Sequence, residues 1–440
     1  MSIRFGTDGI RGVAGREITT DVVAALGRAG AEILGRDDFA VGRDTRESGL
    51  ELSSALQAGI AAAGGCGVDL GVNPTPAVAR WCADEVVAGA VVSASHNVWS
   101  DNGVKLFAPG GLKLDDTVQD RIQARFDELL ESPPPADRPV AVDRRDLAAE
   151  RHVNAVIASL DGRDLAGTKL VVDAANGAAS ASAPQALRRL GAEVIGLHTE
   201  PDGRNINDGC GSTHPESLQR AVVAAGADMG LAFDGDADRV LAVDAAGDLV
   251  DGDQIIAVCA IDRHRRAALT GPAVVVTVMT NLGFRRSMAD QGIEVVDTPV
   301  GDRHVLEALH RRGLDIGGEQ SGHVIFRDLA TTGDGLLTAV QLADVVTRSG
   351  RSLAGLAAEA MTRLPQVLKS VTLESRPADL METIAPLVEA AESRIGDRGR
   401  VLVRPSGTEP LVRVMVEADE DEIAHGETER LTREIAELLA

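Results

Sequence analysis

The sequence predicts an α/β protein of three or four domains. Three features point there. At 440 residues the chain outgrows a single hydrophobic core. Short β-rich runs alternate with Ala/Leu/Arg-rich helical stretches almost throughout, the pattern of mostly parallel sheets with helices on both faces. Polar, Gly-containing loops follow several of these runs, at the strand ends where such sheets bind ligands.

The first unit, 1–145, has a strand over 38–41 entering Gly42-Arg43-Asp44, a helix over 50–64, a buried strand over 86–93 and an amphipathic helix over 116–130. Pro133-Pro134-Pro135 and Pro139 then break both periodicities and mark a surface connection. The second unit, 146–246, reads as a helix over 146–160, a strand over 169–172, a turn at Asn176-Gly177, another helix and a strand over 229–233. The third, 247–364, holds a strand over 273–278 and a turn at Gly317-Gly318. The fourth, 365–440, has strand-like runs over 367–373, 401–403 and 412–416 and a final helix.

Composition narrows the function. Aromatic residues make up 2% of the chain and tyrosine is absent, so the cores are aliphatic and base stacking is a poor expectation. A net charge of −23 argues against nucleic-acid partners, which need a basic footprint. An anionic ligand would need a local basic pocket, so Arg and Lys in Gly-rich loops carry extra meaning. Cys66, Cys82, Cys210 and Cys259 lie far apart without C-x-x-C spacing, which suggests neither a disulfide framework nor a zinc site. Residues 1–6 lack the apolar run of a signal peptide, and no run reaches the roughly 18 apolar residues of a membrane span. The expectation is a cytoplasmic protein with reduced thiols and no membrane partner.

Four loops carry the chemistry. Ser93-Ala94-Ser95-His96-Asn97 follows the strand over 86–93; Ser95 offers a hydroxyl, and His96 and Asn97 offer contacts that orient it. Lys105 follows the turn signal Asp101-Asn102-Gly103, so a returning chain could bring its ammonium back to the serine. A hydrolase triad is disfavoured, because no Gly-x-Ser-x-Gly elbow surrounds Ser95 and His96 is too near in sequence to serve as its base. In Asp234-Gly235-Asp236-Ala237-Asp238-Arg239, three carboxylates alternate, and extended geometry would point them to one side. Such like charges need a cation. Magnesium, with oxygen ligands and phosphate completing its shell, suits them, and Arg239 can hold the phosphate. The loop lacks the Gly and Glu of a calcium EF-hand; a phosphatase with an aspartyl nucleophile stays open on this motif alone.

Gly317-Gly318-Glu319-Gln320-Ser321-Gly322-His323 frames a carboxylate, a hydroxyl and an imidazole with glycines, as neighbouring sugar hydroxyls require. Arg404-Pro405-Ser406-Gly407-Thr408-Glu409-Pro410, followed by Arg413, offers guanidinium, hydroxyl and backbone N–H donors for phosphate. It lacks the Gly-Lys-Ser/Thr ending of a nucleotide loop. Arg11, in Phe5-Gly6-Thr7-Asp8-Gly9-Ile10-Arg11-Gly12, adds a basic group on a Gly-framed loop.

Together, in this order along essentially the whole chain, these loops resemble the α-D-phosphohexomutase superfamily, most closely its bacterial phosphoglucosamine mutases. Gly203-Arg204-Asn205-Ile206-Asn207, Cys210-Gly211-Ser212-Thr213 and Thr280-Asn281-Leu282-Gly283 favour that amino-sugar subgroup. The resemblance implies an α/β fold of four domains around a central cleft: three α/β domains with mixed sheets and a C-terminal α+β domain. It implies that Ser95 carries a phosphoryl group and, with Asp234, Asp236 and Asp238, ligates one Mg²⁺. Arg11, Lys105, His96 and Arg239 become the catalytic groups around it, Lys105 as a proton shuttle. Glu319, Ser321 and His323 become sugar readers, and Arg404, Ser406, Gly407, Thr408 and Arg413 the grip on the non-reacting phosphate. The implied partner is a sugar phosphate passing through a hexose 1,6-bisphosphate; monomer and homodimer both stay open. A phosphoglucomutase or phosphomannomutase is the same-class alternative and a sugar phosphatase the different-class one. Val98 stands where the family loop usually has proline, which would loosen the serine loop, and His304 stands where tyrosine is frequent.

Overall fold

In the computed structural model the described residues are 3–6, 9–35, 38–131, 142–373, 377, 379–406 and 410–439. The proline-rich connection at Pro133, Pro134, Pro135 and Pro139 lies outside them, as do Thr7 and Asp8. The chain divides into two compact units, Met1–Met279 with Ile293–Glu359, and Thr280–Gly292 with Ala360–Ala440.

The larger unit holds three mixed sheets. In the first, the parallel strands Cys66–Val72, Asp38–Arg43 and Ala88–Val92 are followed by the antiparallel Asp101–Ala108 and then Ile10–Val13. In the second, Glu193–Leu197, Lys169–Asp173 and Met229–Phe233 run parallel, and Val240–Asp244 and Leu249–Val250 turn antiparallel. In the third, Glu294–Thr298, Ala273–Thr277 and Ile316–Gly318 run parallel before the antiparallel Val324–Phe326. The sequence predicts mostly parallel sheets. The antiparallel strands escape that reading because they are buried too: Val240–Asp244 and Val324–Phe326 are buried along their whole length, and burial carries no strand direction.

This topology places the chemistry. The serine loop, the aspartate loop and the loop carrying Glu319 all occupy the same position, the connection from the last parallel strand to its antiparallel partner. That connection is 93–100 in the first sheet, 234–239 in the second and 319–323 in the third.

The elements form for ordinary reasons. The helix Asp116–Leu130 starts where Asp115 accepts the Val118 N–H at 2.8 Å and buries Ile122, Phe126 and Leu129 on one face. Gly252–Arg265 opens with a reciprocal capping box between Asp251 and Gln254. Val86 is left-handed (φ 56°) and ends the helix Thr75–Glu85, which is why the strand predicted from 86 begins at Ala88. The cores are aliphatic as composition requires, although six of the seven phenylalanines are fully buried. All four cysteines are free. Among the described residues no helix is long and apolar enough to cross a membrane.

The smaller unit is an antiparallel sheet, in the order Gln366–Thr372, Leu411–Ala418, Gly399–Pro405, with the helices Leu380–Ile395 and Asp421–Leu439. Its hydrophobic cluster includes Ile384, Ile395, Val412, Val414 and Leu431. Asn281 belongs to it: its side chain donates to Leu364 O (2.9 Å) and accepts from Leu364 N (3.0 Å), which ties Thr280-Asn281-Leu282-Gly283 into this unit.

Candidate active site

The serine loop is built around a strained residue. Ser95 is fully buried with φ at 53°, a left-handed conformation that costs a non-glycine residue about 1–2 kcal/mol. Its hydroxyl donates to Asp234 Oδ2 at 2.6 Å, across from one sheet to the next. Its N–H donates to Ser93 Oγ (2.9 Å), and its carbonyl accepts from Asn207 Nδ2 (2.8 Å) and Arg46 Nη2 (3.0 Å).

The three aspartates come together, but by different means than the sequence suggests. They sit in a tight turn in which Ala237 is left-handed (φ 56°) and donates its N–H to Asp234 O, rather than alternating along extended backbone. A turn closes the spacing that an extended chain would spread over about 13 Å. One oxygen from each carboxylate lies within 4.8 Å of the others, and all three residues are buried. Gly235 is required here: a Cβ on it would lie 2.6 Å from Ser95 O.

Charge in this cluster is unevenly shared among the three carboxyls. Burial, with Asp238 and Asp236 close by, pushes the Asp234 carboxyl far above the usual range. Burial opposes ionisation of Asp238 as well, but Lys105, His323 and Arg239 outweigh it and hold this carboxyl well below its ordinary value. Lys105 Nζ bridges Asp236 Oδ2 (2.8 Å) and Asp238 Oδ2 (2.9 Å), and Thr75 Oγ1 donates to Asp236 Oδ2 at 2.6 Å. Asp236 Oδ1 and Asp238 Oδ1 are buried without a hydrogen-bond donor. Two orphaned carboxylate oxygens beside the Ser95–Asp234 pair are a donor set that fits a hard, oxygen-seeking divalent cation.

Around this centre stand the remaining predicted groups. His96 Nδ1 lies 3.5 Å from Ser95 Oγ and 3.2 Å from Arg239 Nη1; burial, then the Arg239 and Arg11 charges, push its pKa down to about 4. Arg239 donates its backbone N–H to Asp234 Oδ1 (3.2 Å), and its Nε lies 3.7 Å from Asp238 Oδ1. Arg11 lies on Ile10–Val13, which pairs with the strand carrying Lys105. A cavity of about 470 Å³ is lined by Arg4, Arg11, Asp238, Arg239, Asp302 and Glu319. Glu319 accepts the Gly301 N–H at 3.1 Å, and Ser321 is exposed at the loop tip. His323 does not accompany them: it is buried, with Nδ1 3.7 Å from Asp238 Oδ1 and Nε2 3.3 Å from Asp302 Oδ2. Burial disfavours its charge, but Asp302 and Asp238 prevail and raise its pKa.

In the smaller unit Arg404 and Arg413 are directly opposite on neighbouring antiparallel strands, a like-charge pairing that costs stability unless an anion shares it. Arg404 Nε is buried without a hydrogen-bond partner, and burial followed by the Arg413 charge lowers the Arg404 pKa. Ser406 is buried beside them in sequence; Gly407 and Thr408 lie outside the described residues.

The sequence reading misses Asp44, Arg46, Thr75, Lys113 and Asp302 as parts of the site. Lys113 donates to Asp302, which faces His323, and Asp44 and Arg46 support the serine loop. The available signal is Gly42-Arg43-Asp44-Thr45-Arg46, a charged loop at the end of a strand parallel to the serine strand. A second ligand-like cluster, Asp173, His198 and Cys210, is spent on structure. Asp173 accepts the Ala175 (2.9 Å) and Gly211 (3.0 Å) N–H groups, and burial pushes the Cys210 thiol up to about 12.

The chain matches the phosphoglucomutase/phosphomannomutase family models throughout: alpha/beta/alpha domain I over 2–132, domain II over 150–247, domain III over 251–364 and the C-terminal domain over 350–434. The chain belongs to this family. This phosphohexomutase is 50% identical over 450 residues to the phosphoglucosamine mutase of Frankia alni, covering 98% of this chain and 97% of the relative. It is 51% identical over 425 residues to that of Pelotomaculum thermopropionicum, covering 95% of each. The crystal structure of a phosphoglucomutase/phosphomannomutase family protein from Burkholderia thailandensis superposes with a TM-score of 0.80 at 27% identity, over 98% of this chain and 97% of that one. The chemistry of the phosphohexomutase is therefore that of an isomerase, and its fold is the four-domain arrangement of the family.

Proposed function

We propose that the protein interconverts glucosamine 6-phosphate and glucosamine 1-phosphate through phosphorylated Ser95 and a 1,6-bisphosphate. The observation that carries the reading is the 2.6 Å contact of Ser95 Oγ with Asp234, inside a buried cluster of three aspartates. The naming of half-identical relatives as phosphoglucosamine mutases supports the choice of sugar.

Asp234, Asp236 and Asp238, with the phosphorylated Ser95, are the residues that would hold Mg²⁺. Bound there, the ion supplies Lewis-acid withdrawal of charge from the phosphoryl oxygens. The bond from phosphorus to Ser95 Oγ breaks as one forms to the sugar hydroxyl, and positioning with charge neutralisation does most of the work. Lys105 gives a proton to the departing Ser95 oxygen and takes one from the sugar hydroxyl, so the exchange leaves no net charge behind. Arg11 and Arg239 offset the charge of the moving phosphoryl group, and neutral His96 orients the serine. Glu319 and Ser321 read the sugar hydroxyls, His323 steadies Asp238 from behind, and Arg404, Ser406 and Arg413 bind the phosphate that does not react. The 1,6-bisphosphate then presents its other phosphate to Ser95, which restores the phosphoserine. Domain limits of 1–145, 146–246, 247–364 and 365–440 and a cytoplasmic location belong to the same reading.

Coupled assays with glucosamine, glucose and mannose phosphates test it. The expected result is isomerisation with the highest kcat/KM for glucosamine 6-phosphate. Faster turnover of glucose or mannose phosphate would reassign the sugar, and release of inorganic phosphate without isomerisation would reassign the reaction.

A further inference from the structure

We propose that Arg46 is a positioning residue for Ser95: it fixes the backbone of the serine loop so that the phosphoryl-bearing oxygen faces the aspartate cluster. The inference rests on the reading of Ser95 as the phosphoryl carrier.

Arg46 lies within a charged pair whose side chains are both fully shielded from solvent. A guanidinium has five N–H donors, and each has an acceptor. Nε donates to Asp44 Oδ2 (2.8 Å). Nη1 donates to the carbonyls of Val98 and Asp101, the latter at 3.0 Å. Nη2 donates to the carbonyls of Ser95 (3.0 Å) and Asn97 (2.8 Å). In a phosphate-handling enzyme this arginine has no donor left for phosphate. Its charge and geometry are spent on three carbonyls of the serine loop and that of Asp101, the first residue of the next strand.

Asp44 completes the device. Its Oδ1 accepts the Arg46 N–H (3.0 Å), and its Oδ2 accepts the Ser93 hydroxyl (2.6 Å), whose oxygen in turn accepts the Ser95 N–H (2.9 Å). Arg46 thus grips the Ser95 carbonyl directly, and Asp44 secures its N–H through Ser93. These are the two ends of the residue held at φ 53°. A left-handed non-glycine conformation persists only where its surroundings over-determine it. Asn207, in the loop after the strand Glu193–Leu197, adds an independent hold on the same carbonyl. The loop has Val98 instead of a proline that would stiffen it covalently, and the Val98 carbonyl is one of those Arg46 binds. A lysine could not substitute, since three donors radiating from one point do not match a planar fork serving five acceptors.

The test compares the full-length protein with Arg46→Lys and with the double variant Asp44→Asn/Arg46→Met, which removes both buried charges and leaves neither uncompensated. Each protein is phosphorylated with glucose 1,6-bisphosphate. Folding is checked by circular dichroism and melting, kcat and KM are measured with glucosamine 6-phosphate, and the phosphoserine is observed by ³¹P NMR well below the melting temperature. The expected result is a folded Arg46→Lys protein whose kcat falls about 100-fold, the scale of an ångström-sized misplacement. Its KM should stay within about threefold, and its phosphoserine resonance should broaden or split. A purely structural role would lower the melting temperature without moving that resonance. A folded variant with wild-type kcat and a wild-type resonance overturns the proposal. So does failure of both variants to fold, because Arg46 would then serve the unit as a whole. A wild-type protein with no phosphoserine resonance instead overturns the reading of Ser95 itself.

Discussion

Ser95 Oγ donates to Asp234 Oδ2 at 2.6 Å, although the two residues follow strands of different sheets. Each occupies the connection between its sheet's last parallel strand and the antiparallel partner, so two equivalent loops meet face to face. Replacing Ser95 with Ala removes the hydroxyl proposed to carry the phosphoryl group while keeping a residue of similar size. Mutase activity should fall by roughly 1,000-fold or more, and the intact mass should lose any phosphate found on the wild type. Wild-type activity in Ser95→Ala would remove the serine from the mechanism.

Metal removal should be equally direct. With Asp236 Oδ1 and Asp238 Oδ1 buried and lacking donors, the cluster is built for a cation. Exhaustive chelation should lower turnover by at least about 100-fold, because Lewis-acid stabilisation is worth several kcal/mol, and added Mg²⁺ should restore it. Asp236→Asn should need more Mg²⁺ for half-maximal activity. Turnover indifferent to chelation would contradict the assignment.

Gly235 reports on how closely the two loops meet. Its Cβ would stand 2.6 Å from Ser95 O and 2.8 Å from Asn207 Nδ2. Gly235→Ala should cost about 1–3 kcal/mol of stability through overpacking, measured by denaturant unfolding. It should also lower kcat by prying the serine from Asp234. Unchanged stability and rate would mean the loops have room to separate.

The facing arginines of the smaller unit carry a separate prediction. Arg404→Ala should raise the KM for sugar phosphate by roughly 10- to 100-fold, the worth of one or two charge-assisted hydrogen bonds. A change in turnover with KM unmoved would take Arg404 out of phosphate binding.

His198 offers a pH test away from the chemistry. Its Nδ1 lies 3.0 Å from Asp173 Oδ2, and this contact raises its pKa above the ordinary value of 6.5 against partial burial. A raised folded-state pKa stabilises fully below about pH 6.5 and loses its effect as pH climbs through the folded value. The melting temperature of the wild type should therefore exceed that of His198→Gln by more at pH 6 than at pH 9. An equal gap at both pH values would mean the pair carries no charge.

Much of this is readable from the chain. Helix 116–130 and strand 229–233 fall where the pattern of apolar residues places them, because that pattern is a local signal. Ser95 and the three aspartates stand out because reactive side chains set among small residues in loops after buried strands are unusual. Other features depend on the third dimension. Apart from Asp44, Arg46 binds only backbone carbonyls, so the charged loop Gly42-Arg43-Asp44-Thr45-Arg46 marks it without showing what it holds. His323 resembles a sugar reader from its loop alone, and only the fold brings Asp302 to its ring. The turn that gathers the aspartates depends on a left-handed Ala237, a conformation alanine's identity does not suggest. The antiparallel strands Val240–Asp244 and Val324–Phe326 are hidden by their complete burial.

The most direct test uses protein carrying ³²P on Ser95, mixed in single turnover with unlabelled glucosamine 6-phosphate and Mg²⁺. The label should leave the protein and appear in glucosamine 1,6-bisphosphate within one catalytic cycle. Label that stays on the protein, or emerges as inorganic phosphate, would contradict the account.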